Sequence, residues 1–310
     1  MLFSPSTAWR IATYIACSAV ITLAGCASGS SSVAPATNSL PSNAQQAAFL
    51  DPLDSPDANK QHIYVTTYIN NTVTIYSSSG VPAGKIKSGL KSPQSLRVDS
   101  AGKIYVANFG NNTVTTYSKS GKRTTPTISV GLNQPVGVAV DAAGKIYVTN
   151  HGNGTLTTYM ADGTQTTPTI SGLSDPGFPT VDSAGKIYIP NQSTNTLTTY
   201  KADGTPTTPT ITAGLNVPVD VQVGKKGTIY IANFGNSTSS SVTTYTRTGR
   251  QTTPTITKGI SEAEGIALTS SKIYVANRLG SDVTTYTLKG VQTKPTIKGL
   301  TKGLTGIAVH

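Results

Sequence analysis

One short segment returns along the chain at a nearly fixed interval. The copy Lys145-Ile146-Tyr147-Val148-Thr149-Asn150 shares its central tyrosine with five other copies, and neighbouring copies stand 41 to 44 residues apart. The tyrosines in this setting are Tyr64, Tyr105, Tyr147, Tyr188, Tyr230 and Tyr274. A period of this size indicates a repeat architecture in which each copy is one supersecondary unit.

A single repeat contains four short runs that are rich in β-branched and aromatic residues and are separated by turns. In the repeat over residues 137–170, these runs are residues 137–141, 145–150, 155–159 and 166–170. Four short strands at this period predict one blade of a β-propeller for each repeat. The repeats show no helical periodicity, so we expect an all-β domain.

The number and phase of the strands predict how the ring closes. The first strand of the repeat occurs six times, at residues 96–98, 138–140, 178–181, 221–223, 266–268 and 307–309. The repeats begin with a second strand at 62–65 and end with a first strand at 306–309. We therefore predict a six-bladed β-propeller of four-stranded blades over residues 62–310, closed by the C-terminal strand, which completes the first blade and removes its free edge.

Prolines and tyrosines recur with the repeat, which favours a structural role for both. Proline cannot donate to a sheet ladder, so we expect the recurring prolines in the fourth, outer strand. They are Pro126, Pro168, Pro209, Pro254 and Pro295. We expect the repeated tyrosines to pack between blades with their hydroxyls bonded, rather than to form an aromatic binding surface. The aspartates of the recurrent Asp-Ser/Ala-Ala-Gly segments, Asp99, Asp141 and Asp182, are typical of turns.

The first sixty residues differ in composition from the repeats. Arg10 precedes a mainly apolar run that ends in Leu23-Ala24-Gly25-Cys26, which resembles a bacterial lipobox. The resemblance implies a signal peptide over 1–25, cleavage, and lipidation of Cys26. A plain signal peptide or an uncleaved anchor is the alternative. Residues 26–61, rich in Ser, Ala, Pro, Asn and Gln, are expected to be a disordered tether behind the lipidated cysteine.

The cysteines fit this interpretation of the N-terminus. Cys17 lies inside the predicted signal peptide and Cys26 at its end, and the chain has no other cysteine. The mature domain is therefore predicted to have neither a disulfide nor thiol chemistry. We expect an exported, lipid-anchored protein of the cell envelope. The residue after the cysteine is Ala27 rather than aspartate, and the resemblance then favours the outer membrane.

One stretch resembles a known propeller repeat. The pattern Pro-x-Gly-Val-Ala-Val-Asp-x-Ala-Gly-Lys-Ile-Tyr-Val-x-Asn, over residues 135–150, resembles the NHL repeat, and Tyr-Val-Thr-Asn at 147–150 is similar to the YVTN-type repeat. Such propellers include binding modules, envelope proteins, lyases and lactonases, so fold alone does not imply function. The usual NHL aspartate after the second strand is asparagine here, at Asn108, Asn150, Asn233 and Asn277.

The loops that follow the second strands are expected to share one face with the loops that join successive blades. Asparagines open five of these loops and offer both donors and acceptors for sugars or peptide groups. They are Asn108, Asn150, Asn191, Asn233 and Asn277. The alternative is that each asparagine bonds to its own turn. Residues that break the repeat on this face are better candidates for ligand binding, and they are His151, Asp175, Asp220, Glu262, Glu264 and Arg278.

These features predict a lipid-anchored binding or scaffold module for a protein, peptide or glycan, without a cofactor. The alternative is a divalent-metal-dependent lyase or lactonase of the streptogramin-lyase or gluconolactonase type. A hard cation would require several converging oxygen ligands, whereas the acids of this face are few and spread over three repeats. The sequence offers no His/Cys metal spacing, no arguable Ser-His-Asp arrangement and no phosphate-binding glycine loop. We therefore expect binding rather than catalysis.

The chain is strongly basic, with a formal net charge of +11. Many of its cations fall in the turns opposite the candidate face, at Lys103, Lys119, Lys122, Arg123, Lys145, Lys186, Lys201, Lys225 and Lys226. One interpretation is contact with an anionic envelope surface or an acidic glycan, and the other is ordinary solvation of turns. We expect no nucleic-acid partner, because an exported chain of this kind lacks a groove-reading element.

Overall fold

The computed structural model describes residues 61–235 and 239–310, and in this part of the chain it contains six sheets of four antiparallel strands. The predictions for the signal peptide 1–25, for Cys26 and for the tether as far as residue 60 lie outside the described residues. Two three-residue 3-10 turns, Phe109–Asn111 and His151–Asn153, are the helical segments of the described ranges. No helix there has the length and apolar character needed to span a membrane.

Each sheet is one blade, and in blades 2 to 6 the strands follow one another in sequence order from the centre of the ring outward, whereas in blade 1 the last strand of the chain is the innermost. Blade 1 consists of β24 (Leu304–Val309), β1 (His62–Thr67), β2 (Thr72–Ser77) and β3 (Pro82–Ile86). Blade 2 consists of β4 (Pro93–Val98), β5 (Ile104–Asn108), β6 (Thr113–Tyr117) and β7 (Arg123–Ile128). Blade 3 consists of β8 (Pro135–Val140), β9 (Ile146–Asn150), β10 (Thr155–Tyr159) and β11 (Gln165–Ile170). Blade 4 consists of β12 (Thr180–Val181), β13 (Ile187–Asn191), β14 (Thr196–Tyr200) and β15 (Pro206–Ile211). Blade 5 consists of β16 (Pro218–Val223), β17 (Ile229–Asn233), β18 (Ser241–Tyr245) and β19 (Gln251–Ile256). Blade 6 consists of β20 (Ala263–Leu268), β21 (Lys272–Asn277), β22 (Asp282–Thr287) and β23 (Gln292–Ile297).

The predicted six-bladed propeller and its closure are confirmed. Strand β24 pairs antiparallel with β1, for example Ile63 with Val309 and Val65 with Ile307. The terminal histidines extend this ladder, since the amide of His62 donates to the carbonyl of His310 at 2.7 Å. The ends of the domain therefore share one sheet, which leaves no free inner edge at the seam.

The innermost strand of blade 4 is shorter than the predicted 178–181. It comprises Thr180–Val181 only, preceded by an isolated bridge from Pro176 to Asn191. Pro179 precedes the strand and has no N–H to donate to a ladder, which explains the interruption. Phe178 instead forms an isolated parallel bridge with Asp220 of blade 5.

The recurring prolines lie in fourth strands, as predicted, and the third strand accommodates them. Opposite Pro168 the ladder between β10 and β11 shifts register, from Leu156 paired with Ile170 to Thr158 paired with Thr166. The hydroxyl of Thr158 lies 2.8 Å from the Pro168 carbonyl and is a hydrogen-bond donor to it. The same bond recurs in blades 2, 4, 5 and 6. The second threonine of the repeated Thr-Thr-Tyr segment therefore bonds to the outer strand in each of these blades.

Tyrosines fill the spaces between neighbouring blades. Tyr159 of blade 3 is fully buried, and its hydroxyl donates to the carbonyl of Val130, in the connection from blade 2, at 2.8 Å. Tyr117, Tyr245 and Tyr286 make the equivalent bond. The second-strand Tyr147 is also buried and donates to the turn carboxylate of Asp141 at 3.0 Å. Tyr200 is half-buried, so the interface is looser at that position.

Candidate functional site

The asparagines that end the second strands are structural in their contacts. Asn150 is 0% exposed; its Oδ1 accepts the backbone N–H of Asn133 at 3.0 Å, and its Nδ2 donates to the hydroxyl of Thr157 at 3.1 Å. The amide therefore ties the blade connection to the third strand. The other four make the same two bonds, and together the five form what we call the asparagine ring: Asn108, Asn150, Asn191, Asn233 and Asn277.

These contacts match the alternative in which each asparagine bonds to nearby backbone. The members of the asparagine ring are between 0% and 3% exposed, so their side chains present almost no area to a ligand. Blade 1 has Thr67 at this position, and it is buried as well. The asparagine ring thus fixes the loops of this face instead of lining its surface.

The next residue in every blade occupies an equivalent backbone position around the mouth of the channel. Its N–H donates to the carbonyl of the residue just before the innermost strand, as in His151 to Gln134 at 3.1 Å and Arg278 to Glu262 at 3.1 Å, and in blade 4 the acceptor is Asp175, just before the isolated bridge at Pro176. We call the six residues the mouth ring: Tyr68, Phe109, His151, Gln192, Phe234 and Arg278. The six backbones are held in the same way, whereas the side chains belong to five residue types.

One side of the mouth ring is built around Arg278. Its guanidinium lies 5.2 Å from the centre of the Tyr68 ring and 5.8 Å from that of Phe234, so it is stacked between the two neighbouring blades. Glu264, which is 1% exposed, approaches it at 3.8 Å between Oε2 and Nη1. The arginine is thereby preorganised by two aromatic faces and a buried carboxylate.

The opposite side carries a histidine and a carboxylate. Nδ1 of His151 lies 2.6 Å from Oδ1 of Asp175, which belongs to the connection leading into blade 4. The ring of Phe109 packs at a tilt against the imidazole, 6.0 Å between centroids. The carboxylate fixes the orientation of the imidazole through Nδ1, which leaves Nε2 to face other groups.

Apolar side chains cover part of the floor of the mouth. Val136, Phe178 and Val219 of three consecutive blades form one buried cluster, against which Phe109 and Phe234 pack. Gln192 is 7% exposed, and its Oε1 is buried without a hydrogen-bond partner among the described residues.

Asp220, predicted for the face, lies inside the channel. Its carboxylate is fully buried and accepts the guanidinium of Arg97 at 2.8 Å and the N–H of Ile266 at 2.9 Å. Arg97 belongs to blade 2 and Asp220 to blade 5, so this pair joins blades on opposite sides of the ring. Burial raises the pKa of the Asp220 carboxyl, while Arg97 and the Ile266 amide act in the opposite sense.

The remaining irregular residues do not converge on one centre. Glu264 is paired with Arg278, His151 with Asp175, and Asp220 with Arg97 in the channel. Glu262 precedes β20 with a positive φ of 53°, and its N–H donates to the hydroxyl oxygen of Ser240 at 2.8 Å. Within residues 61–235 and 239–310, no three His, Cys, Asp or Glu side chains are grouped so as to hold a metal ion.

Sequence reasoning included two members of the mouth ring as candidates and missed four. It named His151 and Arg278 because they break the repeat, but it passed over Tyr68, Phe109, Gln192 and Phe234. The available signal was the position directly after the recurrent asparagine. This position varies from repeat to repeat, whereas the neighbouring positions recur. Arg97 was also missed, although the corresponding strand positions hold Ala139, Ala267 and Ala308.

Comparison with known proteins agrees with this architecture. The family model of the NHL repeat matches residues 132–159, which include β8, β9 and β10. The chain is a six-bladed β-propeller that carries an NHL repeat. No curated protein matches its sequence. The propeller is similar to many solved structures, and all those described below are under 25% identical, so they establish the fold alone.

Three such structures illustrate the range. A chain of a nidogen/laminin complex is 15% identical with a TM-score of 0.68, over 80% of this chain and 98% of the other. A streptogramin B lyase is 18% identical with a TM-score of 0.61, over 80% and 83%. The virginiamycin B lyase from Staphylococcus aureus is 13% identical with a TM-score of 0.59, over 78% and 82%.

Proposed function

We propose that this propeller is a lipid-anchored binding module of the bacterial cell envelope, which holds a protein, peptide or glycan segment at the mouth ring. The observation that carries the proposal is the mouth ring itself. Six side chains of five residue types stand on backbones that make an equivalent hydrogen bond in every blade. A rigid scaffold that presents variable residues at equivalent positions is how propeller-like folds support binding.

The chemistry of the mouth favours a ligand with both apolar and polar groups. The cluster of Val136, Phe178 and Val219 offers apolar contact, and Phe109 and Phe234 add aromatic faces. The stacked Arg278 offers a preorganised cation with N–H donors. Peptides and N-acetylated sugars both combine carbonyl acceptors with apolar groups. A chain of the nidogen/laminin complex, similar in fold, occurs in a structure with a protein partner.

The test uses the full-length protein in nonionic detergent on arrays of peptides and of N-acetylated and other glycans. Ligands selected by the unchanged protein are then measured with the variants Phe109→Ala and Arg278→Ala. Each variant is expected to lose about tenfold or more in affinity, which is typical of a buried aromatic or arginine anchor. The control is Met160→Ser, a 53% exposed residue in a turn at the other end of blade 3. Equal affinities of all four proteins for every selected ligand would remove the mouth ring as the site.

Membrane attachment is a separate part of the proposal. It is supported by the lipobox-like segment that ends in Cys26 and by the tether composition that follows it. Growth with an alkyne-labelled fatty acid is expected to label the unchanged protein and leave Cys26→Ser unlabelled. Cell fractionation is expected to place the unchanged protein with outer membranes. Labelling of both proteins, or of neither, would contradict lipidation at this cysteine.

A second candidate is a lyase or lactonase, favoured by the His151 and Asp175 pair. A carboxylate on Nδ1 orients the imidazole so that Nε2 can take a proton from a bound substrate. The divalent metal of the lyase interpretation does not fit the donors present. Asp175 is engaged by His151 and Glu264 by Arg278, and the described ranges contain no group of three possible metal ligands. No step is therefore assigned to a metal.

The two candidates differ in a direct assay. Incubation of the full-length protein with a streptogramin B antibiotic, with and without Mg²⁺, is followed by chromatography of the remaining substrate. The binding-module proposal predicts no consumption beyond that of His151→Ala. Consumption that disappears in His151→Ala would establish the enzyme instead.

A further inference from the structure

A second concave surface lies at the end of the propeller opposite the mouth ring. It is a cleft of about 1030 Å³ between blades 4 and 5, bounded by the turns that join first to second strands and third to fourth strands. Its charged lining consists of five cations and two acids, namely Lys186, Lys201, Lys225, Lys226, Arg247, Asp182 and Asp203. We call this surface the basic cleft.

The basic cleft arises where blade 5 departs from the repeat. Between β16 and β17 the chain reads Gly224-Lys225-Lys226-Gly227, whereas blade 4 has an acidic, lysine-free turn at 182–185. The fold of the turn is kept, since the Gly224 amide donates to the Thr228 carbonyl at 2.8 Å, as the Asp182 amide does to Lys186. The departure therefore changes charge and not backbone geometry.

Lysines of the regular repeat have a structural role that the added cations lack. Nζ of Lys145 donates to the carbonyl of Thr167 at 2.6 Å and lies 5.5 Å from the centre of the Tyr147 ring, and Lys103 and Lys186 are placed in the same way. The added cations are exposed and form no side-chain hydrogen bond or ion pair with any described residue. They are Lys201, Lys225, Lys226 and Arg247.

The neighbouring junction shows that these cations are not a general property of the fold. At the repeat-equivalent positions one blade earlier, the chain has Met160 for Lys201, Ser183 for Lys225, Ala184 for Lys226 and Ala202 for Arg247, and of these four Ala184 and Ala202 also line the basic cleft. Asp162 and Asp203 border that junction and Lys145 is its repeat lysine. Solvation of turns by lysine would apply equally to both junctions, so it does not explain the concentration at one.

We propose that the basic cleft binds an acidic polysaccharide, with sugar carboxylates held by Lys201, Lys225, Lys226 and Arg247. Thr207, Thr208 and Thr248 line the cleft and offer hydroxyls to the sugar ring, and Ala202 and Pro209 offer apolar contact. A chain ligand fits a concave surface between two blades, whereas a bilayer surface is flat and meets protruding cations. The site is distinct from the mouth ring and does not depend on it.

The probe is an oligogalacturonate, measured by calorimetry with the full-length protein in nonionic detergent at low salt. The same oligomer with its carboxylates methyl-esterified has equal length and no charge, and it is expected not to bind. Lys225→Ala/Lys226→Ala is expected to weaken binding by about tenfold, and raised salt is expected to weaken it further because exposed charges are screened. Thermal unfolding should be unchanged, since these side chains are in exposed turns.

Two controls decide between a site and net charge. Lys119→Ala/Lys122→Ala removes the same charge from exposed positions in the turn after β6 and is expected to leave binding unchanged. Equal weakening by both double variants would overturn the proposal. Equal binding of the esterified oligomer would also overturn it, and so would stronger binding of glycerol phosphate, which would assign the cleft to lipid headgroups.

A gain of function provides an independent test. Met160→Lys/Ser183→Lys introduces two lysines between blades 3 and 4, at the repeat-equivalent positions of Lys201 and Lys225 and outside the lining of the basic cleft. This variant is expected to bind a second oligogalacturonate, seen as an increase in stoichiometry from one to about two with the added cations. An unchanged stoichiometry together with unchanged binding by Lys225→Ala/Lys226→Ala would contradict the assignment.

Discussion

The asparagine ring and the mouth ring occupy adjacent positions in the same loops, yet they differ in every respect that concerns function. The asparagine recurs in five of the six blades, is buried, and makes the same bonds each time. The next residue varies around the ring while its backbone stays fixed by an equivalent bond. The repetition of a residue thus marks what holds the propeller together, and variation on a fixed backbone marks where we propose that a ligand is recognised.

The ion pair of Arg97 and Asp220 inside the channel, which we call the channel pair, limits how far this contrast applies. Asp220 and Arg97 both break the repeat, but they are bonded to each other inside the channel and Asp220 is fully buried. Irregularity alone is therefore insufficient to indicate a binding residue. Asp220 has no exposed area for a ligand to reach, whereas the half-buried His151, Phe109 and Arg278 do.

Removal of the closing strand is the most severe way to break the scaffold. Deletion of residues 303–310 removes β24, leaves β1 as an open edge, and exposes the cluster that includes Leu304 and Ile307. Loss of each such side chain costs about 2–5 kcal/mol, and a domain has only about 5–15 kcal/mol of stability. We expect no cooperative thermal transition by circular dichroism. A melting curve like that of the intact chain would show that closure is dispensable.

Alkaline pH acts on the repeated tyrosines and is expected to have the next largest effect. Burial raises the pKa of Tyr64 to about 12, and it raises those of ten further tyrosines among the described residues. A raised pKa in the folded state contributes stability that is complete below the unfolded value of 10 and is lost as pH rises toward 12. We expect the melting temperature to fall steeply above pH 10.

Absorbance of the phenolates at 295 nm checks the cause of this fall. We expect phenolate absorbance and loss of circular dichroism to rise together between pH 10 and 12, because most phenols ionise only when the propeller unfolds. Ionisation of most tyrosines near pH 10 with the fold intact would mean that the repeat positions are open to water.

Disruption of the channel pair tests whether an irregular residue can be structural. Asp220→Ala removes the acceptor for the Arg97 guanidinium and for the Ile266 amide. Loss of one member of a buried ion pair costs about 3–5 kcal/mol. Urea unfolding is expected to show a loss of that size. Lys122→Ala, in an exposed turn, is the control and is expected to stay within about 0.5 kcal/mol of the unchanged protein.

A smaller effect separates the two rings directly. Asn150→Ala leaves the Asn133 amide without its acceptor and is expected to destabilise the propeller by about 1–3 kcal/mol. His151→Ala, one residue later, is expected to cost less than about 1 kcal/mol, because the imidazole is partly exposed and its partner Asp175 can meet water. Equal losses from the two variants in urea unfolding would remove the distinction in stability.

The sequence was sufficient for the architecture because the fold is periodic. Tyr147, Pro168 and Asp141 recur with their neighbours, so one repeat predicted the strands, the edge and the turns of all the others. The shortened β12 was not predicted, because Pro176 and Pro179 interrupt one copy locally. The order of the blades also could not reveal that Arg97 and Asp220 are bonded. The two residues are 123 positions apart in sequence and belong to blades on opposite sides of the channel.

The site was predicted less completely for a physical reason. A repeated asparagine offers donors and acceptors in any sequence, but whether they face a ligand depends on burial. The bonds to Asn133 and Thr157 show that Asn150 uses its amide within the protein. The neighbouring Phe109 and Phe234 resemble ordinary core residues in sequence, and only their equivalent placement around the channel distinguishes them.

The most direct test of the central claim is the affinity of an array-selected ligand for the double variant Phe109→Ala/Arg278→Ala, with the melting temperature measured on the same sample. The account predicts that the double variant still unfolds in one cooperative transition, at a lower temperature because Arg278→Ala leaves the buried Glu264 without its cation, and that its affinity falls by about a hundredfold, as expected when two anchors are removed. Unchanged affinity in a folded double variant would show that ligands bind elsewhere on the propeller.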